Sequence, residues 1–147
     1  MTLRAIVVGT GWAGEGHSKA LRQAGVDVVA ICGRTPEPAI AVAKKLGISE
    51  VRFDWRQALT SLQPDIVSIA TPANVHCEIA QVAAKLGCHI LCEKPLALNA
   101  TQARQMLQAV EQAGGQTRLC QHQSLCTGCG LCPNAAGVWI DWAGAGD

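Results

Sequence analysis

Three glycines near the start of the chain, Gly9, Gly11 and Gly14, stand in the spacing G-x-G-x-x-G directly after the apolar run Ala5-Ile6-Val7-Val8. That pattern suits a phosphate: the first glycine permits a tight turn, the second lets backbone approach a pyrophosphate, and the third lets the next helix pack closely on its strand. Trp12 and Ala13 would begin that helix, whose free N–H groups and positive dipole end would face the anion. Gly9, Gly11, Trp12, Ala13 and Gly14 therefore form a candidate cofactor-binding turn. Taken alone, a glycine-rich turn without any ligand is the plainer alternative.

Three further polar stretches carry chemistry. Gly33-Arg34-Thr35 follows the apolar run Val26–Cys32, at the place where a chain selecting NAD usually has Asp or Glu to hold the ribose hydroxyls. A guanidinium flanked by Gly33 and Thr35 suits a 2′-phosphate, so the expected cofactor is NADP, with NAD possible; the alternative is a solvated surface charge. Thr71-Pro72, with Asn74 and His76 close behind, would end a strand sharply and set a wall beside a nicotinamide ring, the alternative being a plain turn and helix cap. A histidine in this place is more often structural than catalytic, and His17 and His89 are read as structural too. In Glu93-Lys94-Pro95 a lysine is fixed between a strand end and a proline. Its ammonium can orient a substrate hydroxyl and stabilise the negative charge that builds on oxygen as hydride leaves the neighbouring carbon. Glu93 would hold the lysine; a surface ion pair is the alternative.

These stretches need elements to bring them together. Strands are expected over 3–8, 26–32, 51–53, 66–70 and 89–92, the first, second and fifth of them buried and the third short. Between them run helices: Trp12 to Ala24; Pro36 to Leu46, with Thr35 as cap, Ile40, Ala43 and Leu46 inward and Gly47 as stop; and a short one capped by Asp54, holding Ala58, Leu59 and Leu62. A fourth is capped by Asn74 and runs to Leu86. A fifth starts at a capping box of Asn99 and Gln102, with Ala103, Met106, Leu107 and Val110 on one face, and closes at Gly114-Gly115. Apolar strands alternating with helices imply a Rossmann-type α/β fold, a doubly wound parallel sheet in the order 3-2-1-4-5 with right-handed crossovers. All four polar stretches then fall at the carboxyl ends of the strands, where such sheets bind ligands.

Composition narrows the class. A chain of 147 residues is about one domain and can bury roughly two-thirds of its unfolded surface. A net charge of +1 with no charged block does not suggest nucleic acid or anionic membrane as partners, and no apolar run approaches bilayer length. The N-terminus enters a strand at once, so a cytoplasmic protein is expected, in which eight cysteines serve as thiols or metal ligands more readily than as disulfides.

The ordered set Val8-Gly9-Thr10-Gly11-Trp12-Ala13-Gly14 with His17, Ala70-Thr71-Pro72-Ala73-Asn74-Val75-His76, and Leu91-Cys92-Glu93-Lys94-Pro95-Leu96 resembles the N-terminal domain of the Gfo/Idh/MocA oxidoreductase family over residues 3–117. The resemblance implies hydride transfer between a nicotinamide cofactor and a sugar- or polyol-like hydroxyl carbon, with Lys94 on the substrate side and the named loops around the cofactor. One departure is Ala73 directly after Thr71-Pro72, where the family often has Asn; here Asn74 comes one place later. Members of the family continue into a second α/β domain that supplies the substrate pocket. The expectation is therefore a dinucleotide-binding domain over 1–117, an atypical Cys/Gly/Trp-rich tail over 118–147, little turnover by this chain alone, and possible homo-oligomers through the uncovered sheet face or edge.

That tail holds half the cysteines and half the tryptophans of the chain and shows neither helical nor strand periodicity. Cys126, Cys129 and Cys132 resemble a ferredoxin cluster loop, but Pro133 follows the third cysteine directly, and only Cys120 is left to complete four ligands. No metal ligand is assigned on this basis. The other reading is translation out of frame: taken from the second base of each codon, the tail can encode a strand, a helix and a Ser-Gly-x-Ile-Gly turn resembling the family's continuation. Trp139 and Trp142, each with the single codon TGG, both become glycine in that frame. The coding DNA separates the two readings, since only the second requires an uninterrupted continuation in the neighbouring frame. A non-catalytic NADP(H)-binding module and an iron–sulfur electron carrier remain the alternative functions.

Overall fold

The computed structural model describes residues 2–113 and, as backbone, 119–122. Six strands, β1 (Arg4–Val8), β2 (Asp27–Cys32), β3 (Glu50–Arg52), β4 (Ile66–Ile69), β5 (His89–Glu93) and β6 (Leu119–His122), alternate with five helices: α1 (Trp12–Gln23), α2 (Pro36–Leu46), α3 (Trp55–Leu62), α4 (His76–Lys85) and α5 (Ala100–Gln112). Every strand pairing is parallel, and the order is β3-β2-β1-β4-β5-β6. The expected five-strand order is present. β6 adds to it at the free edge of β5, with Leu119 opposite Ile90 and His122 opposite Glu93. Four residues are too few to show a strand period, and a neighbour's unpaired edge, which the sequence does not display, is what orders them.

Both faces of the sheet are covered. Ile6 and Val8 join Val67, Ile69, Ile90 and Cys92 under α3, α4 and α5, packed against Leu59, Ile79, Ala83 and Met106. Ala5 and Val7 turn the other way, with Val28 and Ile31, toward Leu21 of α1 and Ala43 of α2. Side chains alternate across a strand, so a strand buried on both sides must be apolar at nearly every position.

Local chemistry sets most boundaries. Asp54 accepts hydrogen bonds from the N–H groups of Arg56 (2.9 Å) and Gln57 (3.2 Å) and so starts α3. Asn99 accepts from Gln102 N–H (2.9 Å), while the Gln102 side chain reaches back one residue further than a capping box requires, to Leu98 N–H (3.1 Å). Gly47 ends α2 in the left-handed conformation, at φ 64°. Several expectations need correction: Leu3 and Phe53, read into the first and third strands, lie just outside β1 and β3 and are exposed at 38% and 52%. Asn74 does not cap α4: it lies inside a single 3-10 turn, Ala73–Val75, and Val75 precedes the helix. Ile40 is 52% exposed, because α2 turns the small Ala39 and Ala43 to the sheet where it passes close over Gly33. Leu107 is 48% exposed, leaving Met106 as the buried anchor of α5.

Candidate functional site

The carboxyl ends of β1, β2, β4 and β5 gather four loops on one edge of the sheet. Gly9 leaves β1 at φ 125°, and its N–H donates to Cys32 O at 2.8 Å. A Cβ there would stand 2.2 Å from Ala70 O, and one at Gly14 would stand 2.0 Å from Gly9 O. The turn is therefore wedged between α1 and the end of β4 at a spacing that admits no side chain. Gly11 differs: a Cβ there would meet nothing within 4 Å. Gly11 is the N-cap of α1, with no side chain capping the helix, so the first N–H groups of Trp12, Ala13 and Gly14 are left without intrahelical partners. Bare backbone facing open space at a helix N-terminus is the arrangement a pyrophosphate needs. Glu15, the acid in this first turn, does not compete for the same N–H groups: hydrogen bonds to the ammonium of Lys19 (2.6 Å) and of Lys45 (2.7 Å) hold its carboxyl below the ordinary value. Trp12 is 80% exposed at the rim.

At the end of β2, a Cβ on Gly33 would come within 2.6 Å of Thr10 Cγ2 and 2.9 Å of Ala39 Cβ. Thr10 can rotate; Ala39, fixed on α2, cannot, so this position has no room for the acid that would bind ribose hydroxyls. Arg34 and Thr35 beside it are exposed. Thr35 occupies the N-cap of α2 without bonding it through its side chain, which leaves the hydroxyl available.

After β4, the Thr71 hydroxyl is buried and has no hydrogen-bond partner among the described residues. Buried polar atoms are nearly always satisfied, so an orphan in the loop that follows β4 fits a cofactor that supplies the missing partner. Asn74 and Pro72 are exposed. His76 is fully buried, its Nε2 2.7 Å from Thr71 O and its Nδ1 3.1 Å from Pro95 O. The ring therefore meets the crevice only through the two loops it touches.

After β5, Glu93 holds Lys94 by its backbone: the Lys94 N–H donates to Glu93 Oε2 at 2.7 Å. Lys94 is exposed, and among the described residues its ammonium enters no salt bridge with a carboxylate. The other Glu93 oxygen lies 3.2 Å from His17 Nε2, and His17 Nδ1 lies 2.7 Å from the buried Ser68 Oγ. A carboxylate only accepts, so Nε2 carries the proton toward Glu93. This Ser68–His17–Glu93 chain ties the loop bearing Lys94 to α1 and β4. Sequence reading left His17 in a structural role and passed over Ser68. The available signal was the i, i+3 spacing of Gly14 and His17, which puts both on the helix face that Gly14 must turn to the sheet. Cys32 and Cys92 also sit at these strand ends. Burial pushes both thiols up to about 12, so neither is a nucleophile at neutral pH.

Among the described residues no three metal-ligating side chains converge; the tail cysteines Cys126, Cys129 and Cys132 lie outside those residues. No described helix is long and apolar enough to cross a membrane.

Comparison with known proteins agrees with this geometry. Residues 3–120 match Gfo/Idh/MocA, an oxidoreductase family with an NAD-binding Rossmann fold. The chain is 36% identical over 89 residues to D-glucoside 3-dehydrogenase of Escherichia coli K12, which covers 60% of this chain and 25% of that protein. It is 40% identical over 81 residues to levoglucosan dehydrogenase of Pseudarthrobacter phenanthrenivorans, covering 55% and 21%. Among solved structures, an oxidoreductase from Agrobacterium radiobacter in complex with NAD+, L-tartaric acid and magnesium superposes with a TM-score of 0.79 at 25% identity, covering 85% of this chain and 36% of that one. The chain thus spans only the smaller part, 21% to 36%, of the length of these relatives.

Proposed function

The chain belongs to the Gfo/Idh/MocA oxidoreductase family, and from that premise we propose that it is the cofactor-binding part of a cytoplasmic dehydrogenase that prefers NADP and acts on a carbinol carbon of a sugar or polyol. In this reading the N–H groups that open α1 bind the pyrophosphate, Gly11 keeps the approach clear, and Thr71-Pro72 and Lys94 flank the nicotinamide half. The cofactor, when bound, supplies the hydride acceptor or donor. Lys94 orients the substrate oxygen, and its ammonium, free of any salt bridge to the described residues, stabilises the negative charge that accumulates there. Glu93 and His17 keep that lysine's backbone in place. The sugar or polyol class is carried over from the family and from relatives that are D-glucoside and levoglucosan dehydrogenases.

The preference for NADP rests on one observation: the β2 end excludes a side chain at Gly33 and presents Arg34 and Thr35 in the open. An Arg–phosphate contact is a charge-assisted bond worth about 1.5–3 kcal/mol, or roughly 10- to 150-fold in affinity. Titration of the chain with NADPH and NADH, alongside Arg34→Ala, tests it. NADPH should bind at least tenfold more tightly, and Arg34→Ala should remove most of that margin by weakening NADPH alone. An unchanged preference in Arg34→Ala, or tighter binding of NADH by the wild type, would return the assignment to NAD, the cofactor in the Agrobacterium radiobacter structure.

A further inference from the structure

We propose that His76 is a positioning residue for the nicotinamide half of the cofactor: it sets the separation between the Thr71 loop and the Lys94-Pro95 loop, and so the width of the slot between them. The proposal rests on the cofactor reading above. His76 is the first residue of α4, and that helix is anchored by the buried Cys77, Ile79, Ala80 and Ala83, so the ring rides on a rigid element. Its two nitrogens reach carbonyl oxygens on two different loops, Thr71 O at 2.7 Å and Pro95 O at 3.1 Å. Both oxygens can only accept, so a ring N–H donates to one loop's carbonyl while the bulk of the ring spaces the other loop from it. The 3-10 turn Ala73–Val75 brings the chain back so that His76 can bond the carbonyl five residues before it. With the Thr71 backbone held against the ring, its buried hydroxyl, unpartnered among the described residues, has a fixed place in one wall. Lys94, directly before Pro95, has a fixed place in the other. A ring that is fully buried touches no ligand itself and acts through these two loops.

The test isolates the nicotinamide ring by calorimetric titration of the full 147-residue chain with NADPH and with 2′-phospho-ADP-ribose, which keeps both riboses and lacks only that ring. Wild type should bind NADPH more tightly than the fragment. His76→Phe fills the same space without a donor and should lose that margin, with NADPH weakened about tenfold and the fragment within about twofold of wild type. His76→Gln, which can still donate to one carbonyl, should recover part of the margin. It also carries the test if the Phe variant does not fold. An unchanged margin in a folded variant, an equal loss for both ligands, or failure of both variants to fold would overturn the positioning role, the last two by showing general structural damage. Wild type binding neither ligand would overturn the cofactor reading and this proposal with it. Wild type binding both equally would overturn this proposal alone. If NADH proves the preferred cofactor, NADH and ADP-ribose form the same pair.

Discussion

Two glycines three residues apart should respond to the same methyl group in opposite ways. Gly11→Ala adds a Cβ with nothing within 4 Å, on a backbone at φ −78° that alanine adopts without strain. The stability terms nearly cancel. Alanine is a poorer N-cap than glycine by up to about 1 kcal/mol, whereas it also lowers the entropy of the unfolded chain, a gain of about 0.4–1 kcal/mol. The same methyl, however, stands where a pyrophosphate must approach the first N–H groups of α1. Losing even one charge-assisted hydrogen bond costs about 1.5–3 kcal/mol, so the affinity for NADPH should drop at least about tenfold. Gly14→Ala reverses the balance. Its Cβ would lie 2.0 Å from Gly9 O and 2.7 Å from Gly9 C, both backbone atoms. Contact at a normal distance requires α1 and the turn to separate by more than an ångström. Relief of glycine's poor helix propensity returns about 1 kcal/mol, but overpacking against backbone costs about 1–3 kcal/mol or more. Gly14→Ala should therefore unfold at lower urea as well as bind weakly. Urea denaturation and NADPH titration of both variants measure the two effects separately. If Gly11→Ala binds NADPH like the wild type, no phosphate rests on this turn and the cradle is refuted.

Further outcomes follow from burial and capping. A thiol is charged only when deprotonated, and burial raises Cys32 and Cys92 to about 12 and Cys88 to about 11 from an ordinary 9.0. The unfolded chain therefore loses these protons first: the stability they contribute is fully present below pH 9 and is lost as pH climbs toward 11–12, by up to about 1.4 kcal/mol per pH unit for each thiol. Urea midpoints from pH 8 to 10 should show this decline, and Cys32→Ala with Cys92→Ala should flatten it; an equal slope in that double variant would exclude these thiols as its source. Asp54→Ala should destabilise by about 1 kcal/mol through loss of the α3 cap, read as a lower urea midpoint with an unchanged slope, while a neutral result would show that packing of Ala58 and Leu59 alone holds the helix.

Much of the fold is legible in the residues. Runs such as Ala5–Val8 and Ile66–Ile69 are apolar at nearly every position because both sheet faces are covered, and that pattern alone implies parallel strands alternating with helices. Glycine spacing likewise located the turn after β1, and the types of Gly33, Arg34 and Lys94 mark the loops around it. Local pattern fails where a neighbour decides. Ile40 and Leu107 fit the helical period but lie exposed, while the neighbouring Ala39 and Met106 are the residues buried. Asn74 has the right chemistry for a cap, but a 3-10 turn needed to bring Thr71 back to His76 occupies its place.

The sequence by itself determined the class of fold, the strand order of its first five strands and the four stretches that meet at one edge, because each is written in residue type and short-range spacing. Only the tertiary structure decided that His17 and Ser68 stand behind Glu93 and that β6 joins the sheet. The two His17 contacts span 51 and 76 positions and the β6 pairing depends on a free sheet edge, and no local period records which distant group a side chain will meet.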